Sequence, residues 1–489
     1  MAHQVEDWVR DGVAKRMEAI AAMDAEFEKR QRERVRAIVK NCADTEFGRA
    51  HGFDAIDSVE DWRARVPAST APDYHQAWKR IVKGERNVLF PEPVHAYGLS
   101  SGTTGEPKMV PLNKALVRAL RRAIGYTAAA YMARTNNFSL LRGYALQMAA
   151  PTKVKEQDGI PVGYITGIMG ASRTYPFHNI GIPSDEILDL LDWSEKYRRI
   201  EERYADHDVR MVFGIPGYIL GLFDLLARKR GLTDLRSIWP NLELVVTSGV
   251  SLASHRDRLT AYCPGAELLE MYLATEAGVA CQPQSEPGML PMVEDLFLEF
   301  VPEEEWEKEN PPRHALWEVE TGVRYVVLLT TPSGLYAYSP GDVVRFTSAR
   351  PPRLVVEGRY GNVLSLASEK LDGQQAETVL KKAGLAFEAF LVCPAEGGGT
   401  VPGHDWVIEF RGPAPADAAR RIDATMRASN PLYNHMREGG LLFAEPVVTP
   451  VPRGTFEEAL RRRPGQGKIL RIYQDRKVRD ELVGIARNR

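Results

Sequence analysis

The chain has 489 residues, 44% of them apolar and 26% charged, with a formal net charge of −2. That length exceeds one simple core, so two or three domains are expected, and 63 Lys and Arg against 65 Asp and Glu leave no global basic field for nucleic acid or an anionic membrane. No apolar run reaches the ~18 residues of a spanning helix, and four scattered cysteines (Cys42, Cys263, Cys281, Cys393) without CxxC spacing read as reduced, mostly buried thiols of a cytoplasmic protein rather than a disulfide framework or zinc site.

The N-terminal segment stays charged beyond residue 35, which is not the pattern of a secretory leader. Within residues 5–40, Val5, Trp8, Val9, Val13, Met17 and Ile20 recur at helical spacing, so an amphipathic helix pair is predicted. Short helices are expected over 58–66, opened by Ser58, and over 72–82, opened by Pro72-Asp73. Val94–Tyr97 reads as a strand leading into Ser100-Ser101-Gly102-Thr103-Thr104-Gly105-Glu106-Pro107-Lys108. Glycines there let the backbone approach a ligand, and hydroxyls, N–H groups and a lysine suit a polyphosphate. A polar surface turn is the competing reading of the same loop.

A helix is predicted over Lys114–Ala133, strands over 143–150 and 161–168, and a helix from Ser184-Asp185-Glu186 to about Tyr204. Val209–Gly214 is a strand, and Pro216 opens a helix to Arg230. Residues 242–247 form a short apolar run of buried parallel-strand type. Ser248-Gly249-Val250 turns, Leu252–Tyr262 is helical, and Glu267–Tyr272 is a second strand before Ala274-Thr275-Glu276-Ala277-Gly278. Strand, turn, helix and strand make a βαβ unit, which places both turns at one edge of a sheet, where ligands bind.

From Leu296 the pattern turns to hairpin-like strands: Leu296–Val301, His314–Val319, Val323–Thr330, Leu335–Ser339, Asp342–Phe346 and Arg353–Gly358. A break follows at Arg359-Tyr360-Gly361-Asn362. Beyond it, a helix (Asp372–Ala383), two strands (Ala389–Pro394, Asp405–Arg411) and a helix (Ala414–Ser429) indicate a small α+β unit. The expected class is α/β, with a large domain over 1–358, a hinge over 359–363 and a small mobile C-terminal domain over 364–489. The arginines near the end read as a solvated face, unless that tail closes over an anion.

Gly98-Leu99-Ser100-Ser101-Gly102 also fits GxSxG, the nucleophile elbow of a serine hydrolase, provided that a helix begins on the serine. Pro107 and Pro111 follow too soon for that. Neither GxxxxGK[ST], GxGxxG nor HExxH is present.

Ser-Gly-Thr-Thr-Gly-Glu-Pro-Lys at 101–108 resembles the phosphate loop of adenylate-forming enzymes. With Thr45–Gly48, Ile238–Glu243, Thr247–Val250, Tyr272–Glu276, Gly341–Val344, Gly358–Lys370, Pro452–Phe456 and Gly465–Lys468, the chain resembles the auxin-responsive Gretchen-Hagen-type acyl acid amido synthetases and their bacterial relatives, over nearly its whole length.

The resemblance implies an ATP- and Mg²⁺-dependent ligase that forms an acyl-AMP from a carboxylic acid and passes the acyl group to an amine, in the family an amino acid. It implies that Ser101, Gly102, Thr103, Thr104, Gly105 and Lys108 hold the departing phosphates and that Glu276 holds the metal. Thr275, Ser248, Gly249, Val250 and Tyr272 would line adenine and the α-phosphate. Asp342 would accept the ribose hydroxyls and Arg359 would contact ribose or phosphate. Lys370 would meet the α-phosphate, and Lys468 would enter in one of two positions of the C-terminal domain. The acyl pocket would draw on Lys114–Ala133, Tyr164–Met169 and Phe213–Ile215, with Arg118, Arg121 or Arg122 available to a charged acid if they do not simply face solvent. Two departures stand out: Ser339-Pro340 where the superfamily often has an arginine before Gly-Asp, and Tyr360-Gly361-Asn362 at the hinge. An acyl-CoA ligase is the alternative, a GxSxG hydrolase the remoter one, and the oligomeric state stays open.

Overall fold

A computed structural model describes residues 2–100, 108–171, 177–249, 252, 255–285, 288–361, 363–367, 369–396, 401–438, 442–461 and 469–487. Four sheets organise them. The largest has seven strands, and its spine is parallel. Gly181–Ile182, Tyr144–Met148, Val209–Gly214, Leu244–Ser248 and Glu267–Leu273 run side by side, followed by antiparallel Gly278–Cys281 and Leu290–Pro291. Leu244–Ser248 is buried at every position, as its continuous apolar run demands. The βαβ reading holds: Leu244–Ser248 and Glu267–Leu273 are parallel, so the turns after Ser248 and after Leu273 lie at the same sheet edge.

The second sheet has four strands in the order Lys108–Leu112, Ala96–Ser100, Ile160–Tyr164, Lys155–Gln157. Ala96–Ser100 and Lys108–Leu112 are antiparallel, with Ser100 opposite Lys108. The glycine loop thus joins the two strands of a hairpin, and residues 101–107 themselves lie outside the described residues. Ser100 ends a strand paired antiparallel with the strand that Lys108 begins, an arrangement that does not favour the nucleophile-elbow reading.

The N-terminal helical stretch, Ala2–Cys42, is two helices meeting at a kink at Glu26. Ser58 closes a capping box with Asp61 at the start of Val59–Arg65, and Thr70 does so with Asp73 at the start of Ala71–Val82. Three expectations differ from the structure. The predicted 161–168 strand ends at Tyr164 and becomes the helix Ile165–Ala171, where packing against the neighbouring helical layer overrides β-branched propensity. The helix expected to run from 184 to Tyr204 is split into Asp185–Leu188 and Trp193–Tyr204, because Asp192 caps a new start by accepting the N–H groups of Ser194 and Glu195. The helix expected from Leu252 is observed over Arg256–Tyr262.

A five-stranded antiparallel sheet follows, in the order His314–Ala315, Phe297–Pro302, Arg324–Thr330, Asp342–Ala349, Pro352–Arg359. His314–Val319 shortens to two residues. Leu335–Ser339 is not a strand, and its ladder pairing is limited to single bridges of Tyr338 to Leu329 and to Ser69. Ala337 there is left-handed, with φ 44°, which interrupts a ladder.

The last sheet pairs Phe387–Pro394 antiparallel to His404–Phe410, itself parallel to Val447–Val451. The helices Gly373–Lys382, Ala418–Ser429 and Pro431–Arg437 accompany it, the first capped by Asp372 in a box with Gln375. Its core is continuous with that of the parallel sheet: Trp193, Tyr218, Leu364, Trp406 and Tyr433 belong to one buried cluster. All four cysteines are buried. No helix among the described residues is long and apolar enough to cross a membrane.

Candidate active site

A cavity of about 260 Å³ opens at the C-terminal edge of the parallel strands. Eight of the residues named above line it: Ser248, Gly249, Tyr272, Thr275, Glu276, Asp342, Arg359 and Lys370. The ends of the two parallel strands and the turns after them supply the first five, the antiparallel sheet supplies Asp342 and Arg359, and the segment before the C-terminal helices supplies Lys370.

Asp342 is 8% exposed and joins a cluster of polar side chains. Tyr272 Oη donates to its Oδ2 at 2.6 Å, and Arg359 donates to its Oδ1 at 2.9 Å. Arg359 and Asp342 are cross-strand partners, so the ladder itself sets the ion pair. The second guanidinium nitrogen of Arg359 donates to the Pro340 carbonyl. The arginine that the superfamily often carries before Gly-Asp is thus absent here, and Arg359 holds the turn from the facing strand. Burial and the Asp342 carboxylate push the Tyr272 phenol far up, so it stays a donor.

Glu276 is 7% exposed and accepts a hydrogen bond from Tyr338 Oη at 3.2 Å. Burial beside that carboxylate raises the Tyr338 phenol well above its ordinary value. Tyr338 is fixed from behind. The Ser69 N–H donates to Ala337 O at 2.9 Å, the Ser339 N–H donates to Ser69 O at 2.8 Å, and the Tyr74 ring meets Tyr338 edge-on at 5.6 Å. Glu276 is a carboxylate of the kind that could hold Mg²⁺, which takes one or two carboxylates and fills its other positions with phosphate oxygens and water.

Gly98, three residues before the glycine loop, lies against Thr275. A Cβ on Gly98 would fall 2.5 Å from Thr275 Cγ2. The strand that launches the loop and the turn that carries Glu276 therefore touch. Lys108 begins the returning strand, so its backbone stands at the base of the same hairpin. The Lys108 side chain, Ser101, Gly102, Thr103, Thr104, Gly105, Val250 and Lys468 lie outside the described residues.

Much of the remaining lining of the cavity is apolar. Ile124, Met169, Phe213, Ile215 and Tyr218 line it, from the three segments expected to build an acyl pocket and from the helix that follows them. The arginines of the helix Lys114–Thr135 do not reach it. Arg122 is taken up by Asp295, and Arg118 folds back onto the Lys114 carbonyl. Among the lining residues, the cations are Arg359 and Lys370.

Sequence reasoning missed Tyr338 as the partner of Glu276, and it missed Leu432, a cavity residue from the helix Pro431–Arg437. Tyr338 stands directly before the Ser339-Pro340 departure and the Gly341–Val344 stretch, so a signal existed. Leu432 had none, because one leucine in an amphipathic helix is indistinguishable from core.

The GH3 family N-terminal domain matches residues 16–213, the GH3 family central domain 289–359 and the GH3 family C-terminal domain 372–477. Among curated proteins, the indole-3-acetic acid-amido synthetase GH3.3 of Arabidopsis thaliana is 22% identical, over 91% of this chain and 88% of its own length. Among solved structures, the GH3.15 acyl acid amido synthetase superposes with a TM-score of 0.59 at 18% identity, over 96% of this chain and 95% of that one. A 2-hydroxyisobutyryl-CoA ligase in complex with 2-HIB-AMP and CoA does so with a TM-score of 0.59 at 16% identity, over 96% and 93%. The two structures share the fold; the three domain matches, in order and spanning most of the sequence, place this chain in the GH3 family.

Proposed function

We propose that this chain is an acyl acid amido synthetase: it activates a carboxylic acid with ATP and then joins the acyl group to an amine, in the first instance an amino acid. The observation that carries this reading is one cavity lined by Asp342, Glu276 and Lys370 together with a set of apolar side chains.

In the first half-reaction a carboxylate oxygen attacks the α-phosphorus, the bond to the bridging oxygen breaks, and pyrophosphate leaves. Two anions must meet, so the site has to supply positive charge and fixed dipoles. Lys370 lies where charge develops on the α-phosphate. Asp342 accepts the ribose hydroxyls, with Tyr272 and Arg359 holding its orientation. Ser248, Gly249 and Thr275 line the base and α-phosphate. Glu276 is the residue that would hold Mg²⁺, which neutralises phosphate charge when bound. The loop from Ser101 to Lys108 retains the departing phosphates, and Lys468 belongs to the other position of the C-terminal domain. That domain begins after a hinge over 359–363.

In the second half-reaction the amine nitrogen attacks the acyl carbon, AMP leaves with the C–O electron pair, and the amine gives up a proton. The shared fold with a CoA ligase does not select the acceptor. The relatives named as amido synthetases and the three family matches support the amine. ATP supply places the reaction in the cytoplasm.

ATP–pyrophosphate exchange with a panel of carboxylic acids tests the first step, and mass spectrometry of products with amino acids or CoA tests the second. Exchange with at least one acid and an amide product are expected. No exchange with any acid sinks the reading, and a CoA thioester in place of an amide replaces its second half.

A further inference from the structure

Among the described residues, the C-terminal segments reach the cavity at two points. Lys370 is one and Leu432 is the other. Leu432 and His435 are three residues apart on the helix Pro431–Arg437, so they share a face. His435 seats that face on the large domain. Trp193 Nε1 donates to His435 Nε2 at 2.5 Å, and the His435 ring stacks over Tyr164 with centroids 6.1 Å apart. Trp193 in turn packs on Tyr218 at 4.1 Å. Tyr164 and Tyr218 both line the cavity beside which the helix is seated, and Leu432 adds to the same lining.

The same helix is tied to Lys370. Asn430 Oδ1 accepts the Tyr433 N–H at 2.9 Å, which caps the helix, and Asn430 Nδ2 donates to the Glu369 carbonyl at 2.5 Å. That carbonyl immediately precedes Lys370. The Glu369 carboxylate accepts the N–H groups of Leu366 and Ala367, each at 2.8 Å, and bonds His404 Nε2 at 2.9 Å, with both side chains fully buried. Lys370 itself has a left-handed backbone, φ 49°, which a non-glycine residue keeps only when its surroundings impose it.

We propose that Leu432 is a specificity-determining residue for the acid, and that Asn430 is a positioning residue that couples this wall of the pocket to Lys370. The acid that fits against Leu432 seats the helix, and the helix, through Asn430 and the Glu369 carbonyl, sets the lysine. This rests on the adenylating function proposed above.

The test is pyrophosphate exchange with straight-chain acids from propionate to decanoate and with benzoate, on the full chain. Leu432→Ala should shift the preference, as kcat/KM ratios, about tenfold towards longer acids, and Leu432→Phe should shift it towards shorter ones. Asn430→Ser keeps a good helix cap but cannot reach the Glu369 carbonyl. It should lower kcat about tenfold with little change in KM for ATP. A merely structural cap would be rescued by serine, so full kcat in Asn430→Ser overturns the coupling. Unchanged acid preference in both Leu432 variants overturns the wall. Absence of exchange in the unaltered chain with every acid instead overturns the function, and the inference with it.

Discussion

Arg359 and Asp342 face each other across adjacent antiparallel strands, and the guanidinium meets the carboxylate at 2.9 Å. Tyr272 takes the other carboxylate oxygen. A carboxylate has about four acceptor positions, so two remain for a pair of vicinal hydroxyls. Asp342→Asn keeps the shape and removes the charge. Hydrogen bonds to a charged group contribute about 1.5–3 kcal/mol, so KM for ATP should rise at least tenfold. KM for the acid should stay near its original value. Exchange kinetics with ATP varied at saturating acid measure this, and an unchanged KM for ATP would refute the ribose role.

Gly98 carries a second prediction. Its missing Cβ is the space occupied by Thr275 Cγ2, with Leu112 Cδ1 3.3 Å from the same position. Gly98→Ala should push Thr275, and Glu276 beside it, out of place, lowering exchange by about tenfold or more through misplacement alone. Thr275→Ser removes the clashing methyl. The double variant Gly98→Ala/Thr275→Ser should therefore recover activity relative to Gly98→Ala, and a double variant no better than the single one would show that the clash is not the cause.

Much of this site was legible because its residues sit in local patterns with local reasons. Leu244–Ser248 is continuously apolar because both faces are covered, and the turn after it must fall at a sheet edge. Asp342 follows Gly341, a left-handed glycine that starts a strand. The unreadable parts depend on partners distant in sequence. Leu335–Ser339 alternates like a strand, yet it is gripped on one side by Ser69 and Tyr74 and never enters a ladder. Trp193 and His435 bond across more than two hundred positions, and no periodicity encodes such a pair. Arg122 looked available to a substrate until Asp295 was found beside it.

Gly361 tests the hinge. Its φ is 77°, and a Cβ there would meet no atom within 4 Å. Proline, locked near −65°, cannot adopt this geometry, so Gly361→Pro would disturb the observed conformation itself. Gly361→Ala is the informative variant: it adds about 1 kcal/mol of backbone strain and no clash. If 359–363 is the pivot, this variant should alter the ratio of amide-forming to exchange rates, because the strain acts on one position of the domain. Equal changes in the two rates would reject the pivot.

His435 gives the pH prediction. Burial, helped by the nearby Lys196 ammonium, pushes its imidazole from 6.5 down to about 4, so it is the neutral acceptor that Trp193 requires. Around it stand Trp193, the Tyr164 ring and Lys196, whose amine is itself pushed down to about 7 by burial despite Asp189 nearby. A depressed folded value means that the unfolded chain takes up the proton first. The contribution is therefore complete above pH 6.5 and is lost as pH falls through 4, by about 3 kcal/mol at pH 4. His435→Gln keeps an acceptor for Trp193 and does not titrate. Urea unfolding of both proteins from pH 7 to pH 4 should show the unaltered chain losing more free energy than the variant, with the gap opening below pH 6.5. Parallel curves would mean that His435 is not held neutral by this contact.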